Sequence, residues 1–125
     1  MPRKSADPRP LIPEDFYVLL ALEGGERHGY SIIKEVERAT DGRVRMAASP
    51  FYRRLKRLEA WGWVEESEER PAPELDDERR RYYALSRLGR SVLREEARRL
   101  VELAGSQPVL RLARGDGARG RKGAG

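Results

Sequence analysis

The densest chemistry in this sequence is cationic and lies in one stretch, Ser49-Pro50-Phe51-Tyr52-Arg53-Arg54-Leu55-Lys56-Arg57-Leu58-Glu59, where four basic side chains meet one acid. An Arg fork bridges guanine O6 and N7 or grips a phosphate, and Lys meets either as a mobile point charge. Whether these groups act together depends on spacing. At about 100° per residue, Phe51, Leu55 and Leu58 fall on one narrow side of a helix, and Ser49, Arg53, Lys56 and Ala60 fall opposite. Tyr52 and Arg57 flank the cationic side, while Arg54 lies nearer the apolar boundary. A merely solvated face often carries Arg and Lys as well. The excess of base over acid here is lopsided for that role and suits a polyanion.

Other chemistries are poorly supplied. Without Cys there is no disulfide, thiolate metal site or thiol nucleophile. The single His, His28, rules out a His-pair zinc site and leaves little for acid–base catalysis. No phosphate loop is present, and no carboxylate pair stands outside the solvated charge runs. We therefore expect no catalytic residue, no metal, no cofactor and no enzyme. The longest apolar run, Phe16 to Leu22, is far too short to span a bilayer. The basic opening MPRKSADPRP lacks the apolar segment of a secretory signal, so a soluble cytoplasmic protein is expected.

The charge is unevenly placed. The 125 residues carry a formal net charge of +5. From Gly105 onward there are five basic residues and one acid, whereas residues 1 to 104 hold 21 basic and 20 acidic groups. The folding part is thus nearly neutral, and a polyanion site in it must be a local cluster. Arg outnumbers Lys by 22 to 4, a bias that a GC-rich genome also produces, so location outweighs count.

The elements that position the cluster follow from pattern and punctuation. Residues 1 to 10 contain three prolines and no apolar period, which reads as a disordered arm. A first helix is predicted from Pro13 to about Glu23, with Glu14 and Asp15 in its positive first turn and Gly24-Gly25 at its exit. Its middle, FYVLLAL, is apolar all round, so one side should meet the domain and the other a long helix or a second subunit. A second helix should span Tyr30 to Thr40 on the stripe Ile32, Ile33, Val36 and Ala39, closed by Asp41-Gly42. Arg43 to Met46 reads as a short strand. The third helix should open at Ser49 as N-cap with Pro50 at the first helical position, and close at Gly62.

Period two then replaces the helical period. Trp63 to about Ser67 and Arg81 to Leu85 read as a hairpin with an extended tip. Residues 65 to 81 hold eight acids and four arginines. Arg79, Arg80 and Arg81 suit a backbone or minor-groove contact, or else neutralise Glu65 to Glu69 across the hairpin; both alternatives stand. Trp61 and Trp63 bracket Gly62 and should pack the hairpin base on the third helix. His28 and Tyr30 precede the second helix, where a polar pair caps a helix or touches phosphate. Ser86 caps a last helix to about Ala104, whose Leu93, Ala97, Leu100 and Ala104 repeat at 4-3-4 spacing as a seam for another helix. With Phe16 and Leu20 of the first helix they form the expected dimer interface. Residues 106 to 125 read as a flexible basic tail.

The fold class expected is mainly α with a small β-hairpin: a winged helix-turn-helix over residues 11–85 followed by a C-terminal dimerisation helix at 86–105. In a winged helix the third helix enters the major groove. Ser49, Tyr52, Arg53, Lys56 and Arg57 would then face DNA, assisted by Arg79, Arg80 and Arg81. The alternative from another class is a protein-interaction winged helix that binds no DNA and docks through its acidic hairpin and apolar first helix.

The stretches LEGGERHGYSIIKEVE, SPFYRRLKRLEAWGWVEE and RPAPELDDERRRYYALSRLGRSVL together resemble the PadR-like family of bacterial transcriptional regulators. The resemblance covers roughly residues 11 to 104. It rests on His28-Gly29-Tyr30, on Tyr52, Leu55 and Leu58, and on the run from Arg79 to Leu85. It implies a homodimer joined through the C-terminal helix that binds double-stranded DNA at a palindromic operator, usually as a repressor. Bacterial localisation in the cytoplasm, on the nucleoid when bound, follows from the same resemblance. A single C-terminal helix is similar to the shorter subgroup. Some members answer to phenolic or drug-like effectors, and no residue here identifies one. Many relatives open the recognition helix with Gly-Thr-Leu-Tyr; this chain has Ser49-Pro50-Phe51-Tyr52, and Pro50 removes a hydroxyl and an N–H that could touch phosphate.

Overall fold

Pro13 starts the first helix where its missing N–H has no intrahelical partner to lose. In the computed structural model, which describes residues 10–66 and 81–115, helix α1 spans Pro13–Ala21 and carries Glu14 and Asp15 in its first turn. A two-residue strand β1, Arg27–His28, leads into α2, Gly29–Ala39. His28 is the N-cap of α2: its Nδ1 accepts from the Ser31 N–H at 3.2 Å. Helix α3 spans Ala48–Ala60, and strands β2 (Val64–Glu66) and β3 (Tyr82–Leu85) follow. Helix α4 runs Arg87–Ala104 from the Ser86 cap, whose hydroxyl accepts from the Gly89 N–H at 2.9 Å. A short helix α5, Gln107–Ala113, leans on α4.

The sheet is antiparallel and three-stranded in the order β1-β3-β2. Val64 pairs with Leu85 and Glu66 with Tyr83 on one side of β3, while Arg27 pairs with Tyr83 and His28 with Tyr82 on the other. The core gathers Val18, Leu19 and Leu22 of α1, Ile32 and Val36 of α2, Phe51, Leu55 and Leu58 of α3, Trp63 of the hairpin base, and Val92 and Leu93 of α4. Each such side chain stabilises the fold by about 1.5–3 kcal/mol through burial. Gly62, at φ +83°, takes the left-handed turn that swings the chain from α3 into β2.

Three expectations about elements are corrected. Arg43 to Met46 is not a strand: the Val44 N–H that a ladder would use is taken at 3.0 Å by the Thr40 hydroxyl, which itself donates to the Val36 carbonyl. The strand that pairs outside the hairpin is β1. Ser49 does not cap α3; Ala47 does, without a side-chain bond, because the Phe51 N–H already reaches the Ala47 carbonyl at 3.0 Å. Finally, residues 107–113 of the expected flexible tail form α5, opened by Gln107-Pro108. The arm at 1–9, the hairpin tip at 67–80 and residues 116–125 lie outside the described residues.

Candidate nucleic-acid interface

Burying Phe51, Leu55 and Leu58 forces the opposite side of α3 outward. Ser49, Arg53, Lys56 and Arg57 are all exposed there. Arg53 Nη1 lies 3.4 Å from the Ser49 hydroxyl, so the fork rests beside the first turn of the helix. Helix N-terminal amides and two or three guanidinium or ammonium groups on one ridge give a surface matched to phosphate and to guanine edges.

The remaining basic residue of the stretch is used internally. Arg54 Nη1 donates to Asp15 Oδ1 at 2.8 Å, and the Asp15 side chain is only 4% exposed. This pair ties the middle of α3 to the first turn of α1. Tyr52 departs from expectation too. It is half-buried, its Oη is shielded from solvent, and its ring stands edge-on to Phe51 with centroids 4.8 Å apart. Helical spacing puts Tyr52 at the margin of the cationic side; the structure lays its ring against Gly29 of α2, with the hydroxyl turned inward.

Two cations that spacing did not single out stand before α3. Arg43 and Arg45 are exposed in the loop from α2, with Arg45 Nε 3.7 Å from Glu37. Expecting a strand there hid them. Tyr30 is exposed on α2 with the Lys34 ammonium 5.4 Å from its ring centroid. Farther round α2, Arg38 hydrogen-bonds both carboxylate oxygens of Glu35 and holds that carboxyl below its ordinary range against the opposing effect of burial.

At the hairpin, Arg81 Nε lies 3.7 Å from Glu66 Oε2. That contact matches the internal-neutralisation alternative for this one residue. Arg79 and Arg80 lie outside the described residues. Of the expected dimer seam, Leu20 is exposed, Phe16 and Leu100 are half-buried, and Ala97 and Ala104 are exposed. Leu93 is corrected: it is 5% exposed and belongs to the chain's own core. The first turns of α4 pack on α1, so the stripe open to a second chain starts only after buried Glu96, which pairs with Arg99 at 2.6 Å. The seam spacing also passed over Val101, Leu103 and Leu112, all exposed.

Three helices with an outward cationic third, followed by an antiparallel hairpin, define a winged helix-turn-helix. The chain belongs to the PadR-like family of transcriptional regulators, whose family model, described as "Transcriptional regulator PadR-like family", matches residues 18–95. That family comprises regulators, not enzymes. No curated protein matches the chain. Among solved structures it is similar to RosR of H. salinarum, at 24% identity over 90% of this chain and 99% of that one with a TM-score of 0.64. It is also similar to a transcriptional regulator from Clostridium thermocellum, at 22% identity over 72% of this chain and 82% of that one (TM-score 0.59). A third likeness is to a PadR family transcription regulator from Clostridium difficile R20291, at 24% identity over 73% and 93% with a TM-score of 0.53. At these identities the likeness is one of fold. Among the described residues no helix is long and apolar enough to cross a membrane.

Proposed function

We propose that this protein is a homodimeric, sequence-specific DNA-binding repressor that reads a palindromic operator with α3. The observation that carries this is the outward ridge of Ser49, Arg53, Lys56 and Arg57 on a helix whose other side is fully committed to the core. Arg43 and Arg45, exposed in the loop that leads into α3, suit phosphates, and Arg79 and Arg80, by their place in the sequence, would supply the hairpin side, while Arg81 faces Glu66 at 3.7 Å. Two-fold pairing through α1 and the outer stripe of α4 would set two ridges about one helical turn of DNA apart.

Titration of a labelled duplex carrying the region upstream of the protein's own gene tests this. Salt-dependent binding is expected, with Arg53→Ala costing about 1–3 kcal/mol and relaxing sequence preference if it reads a base. Lys56→Ala should reduce the salt slope by about 0.9 if it meets a phosphate. Wild-type protein that binds no duplex even at low ionic strength sinks the proposal and leaves the protein-interaction alternative. Unchanged affinity and slope in both variants removes α3 from the interface.

A further inference from the structure

Gly29 is the point at which α2, the sheet and α3 meet. Its N–H donates to the Arg81 carbonyl at 3.1 Å, extending the β1–β3 pairing that His28 makes with Tyr82. The His28 ring stands edge-on to Tyr82 with centroids 5.7 Å apart, so this corner is fixed from the sheet side. From the other side comes the ring of Tyr52. A Cβ built on Gly29 would lie 2.6 Å from Tyr52 Oη, 2.8 Å from Cε1 and 3.1 Å from Cζ. The phenol therefore rests directly on backbone, at a distance only glycine permits.

We infer that Tyr52 is a positioning residue for DNA reading: seated on Gly29, it sets the stand-off of α3 from the α2–sheet corner and so the register of the ridge. This rests on the proposed DNA-binding role of α3. The ring is walled by Phe51, edge-on at 4.8 Å, and its Oη is buried, so a push on it passes to the α3 backbone that carries Ser49, Arg53 and Lys56 three residues before, one after and four after Tyr52. Carbon and oxygen at van der Waals contact stand about 3.5 Å apart. Relieving a methyl at Gly29 thus displaces the ring by about 1 Å, whereas recognition groups must hold their places to about 0.5 Å. Phosphate contacts are less demanding than bidentate base contacts, so specificity falls before general affinity does.

The experiment compares two duplexes, one enriched by wild-type protein from a random-sequence pool and a scrambled version of it, at a temperature where circular dichroism shows each variant folded. Gly29→Ala and Tyr52→Leu should each lose about tenfold or more on the enriched duplex, with the scrambled duplex and the salt slope near wild type. Because both changes disturb one contact, the double variant should be no weaker than the weaker single. Tyr52→Phe, which keeps the ring on its seat, should stay within about threefold of wild type. A tenfold loss for folded Tyr52→Phe, losses that multiply in the double variant, or wild-type binding by Gly29→Ala overturns the inference. Wild-type protein that enriches no duplex instead overturns the DNA-binding proposal beneath it, so the two failures are distinct.

Discussion

Arg54 and Arg53 are neighbours of the same type with opposite fates, and the difference is a single carboxylate. Asp15 is buried at the start of α1 and would be costly there without a partner; Arg54 reaches it at 2.8 Å and is removed from the pool of free cations. Arg53, about 100° round the helix, meets no such acid among the described residues and stays outside. The pair predicts a stability effect separable from DNA contact. Asp15→Ala should lower stability by about 2 kcal/mol, discounted from the range for fully buried pairs because the Arg54 side chain is 25% exposed. A fall in Tm of roughly 5–15 °C in a thermal melt is expected. An unchanged Tm would mean the pair holds nothing together.

At the scale of elements, the junction between the hairpin and α4 is a close joint built on backbone contact. Ser86 sends its N–H to the Trp63 carbonyl at 3.0 Å and accepts the Gly89 N–H on its hydroxyl, so one residue ends β3, caps α4 and binds the hairpin base. Gly89 lies directly against the Trp63 backbone, and a methyl there would collide with the Trp63 carbonyl. In an unconstrained helix Gly→Ala gains about 0.5–1 kcal/mol. Here Gly89→Ala should instead lose at least about 3 kcal/mol, since backbone and not a flexible side chain must yield. Urea unfolding reads the sign, and a stabilised variant would refute the close approach.

For the whole molecule, the residues left open on α1 and α4 decide how two copies could join. Leu20, Leu100 and the small Ala97 and Ala104 remain available, whereas Leu93 is already committed inward. Leu100→Glu should therefore abolish the proposed pairing of two copies without unfolding the chain, as read by sedimentation and circular dichroism together. Leu93→Ala should do the reverse, losing about 2–5 kcal/mol of stability as a core truncation while the pairing surface is kept. If Leu93→Ala dissociates the dimer and leaves stability intact, the division of α4 into an inner and an outer stretch is wrong.

Much of this was readable from residue order. Helical spacing assigned Phe51, Leu55 and Leu58 to the interior and Ser49, Arg53, Lys56 and Arg57 to the surface, because both outcomes depend only on a rotation per residue and on water's preference for charge. Ser86 as a cap and Gly62 as the end of α3 were legible from local signals too. Three features were decided only in three dimensions: β1 as a third strand, Tyr52 folded onto Gly29, and Arg54 taken by Asp15 thirty-nine residues away. Each depends on which distant segment arrives beside it. A pattern within one segment fixes which way a side chain points, but only packing between segments determines what it meets.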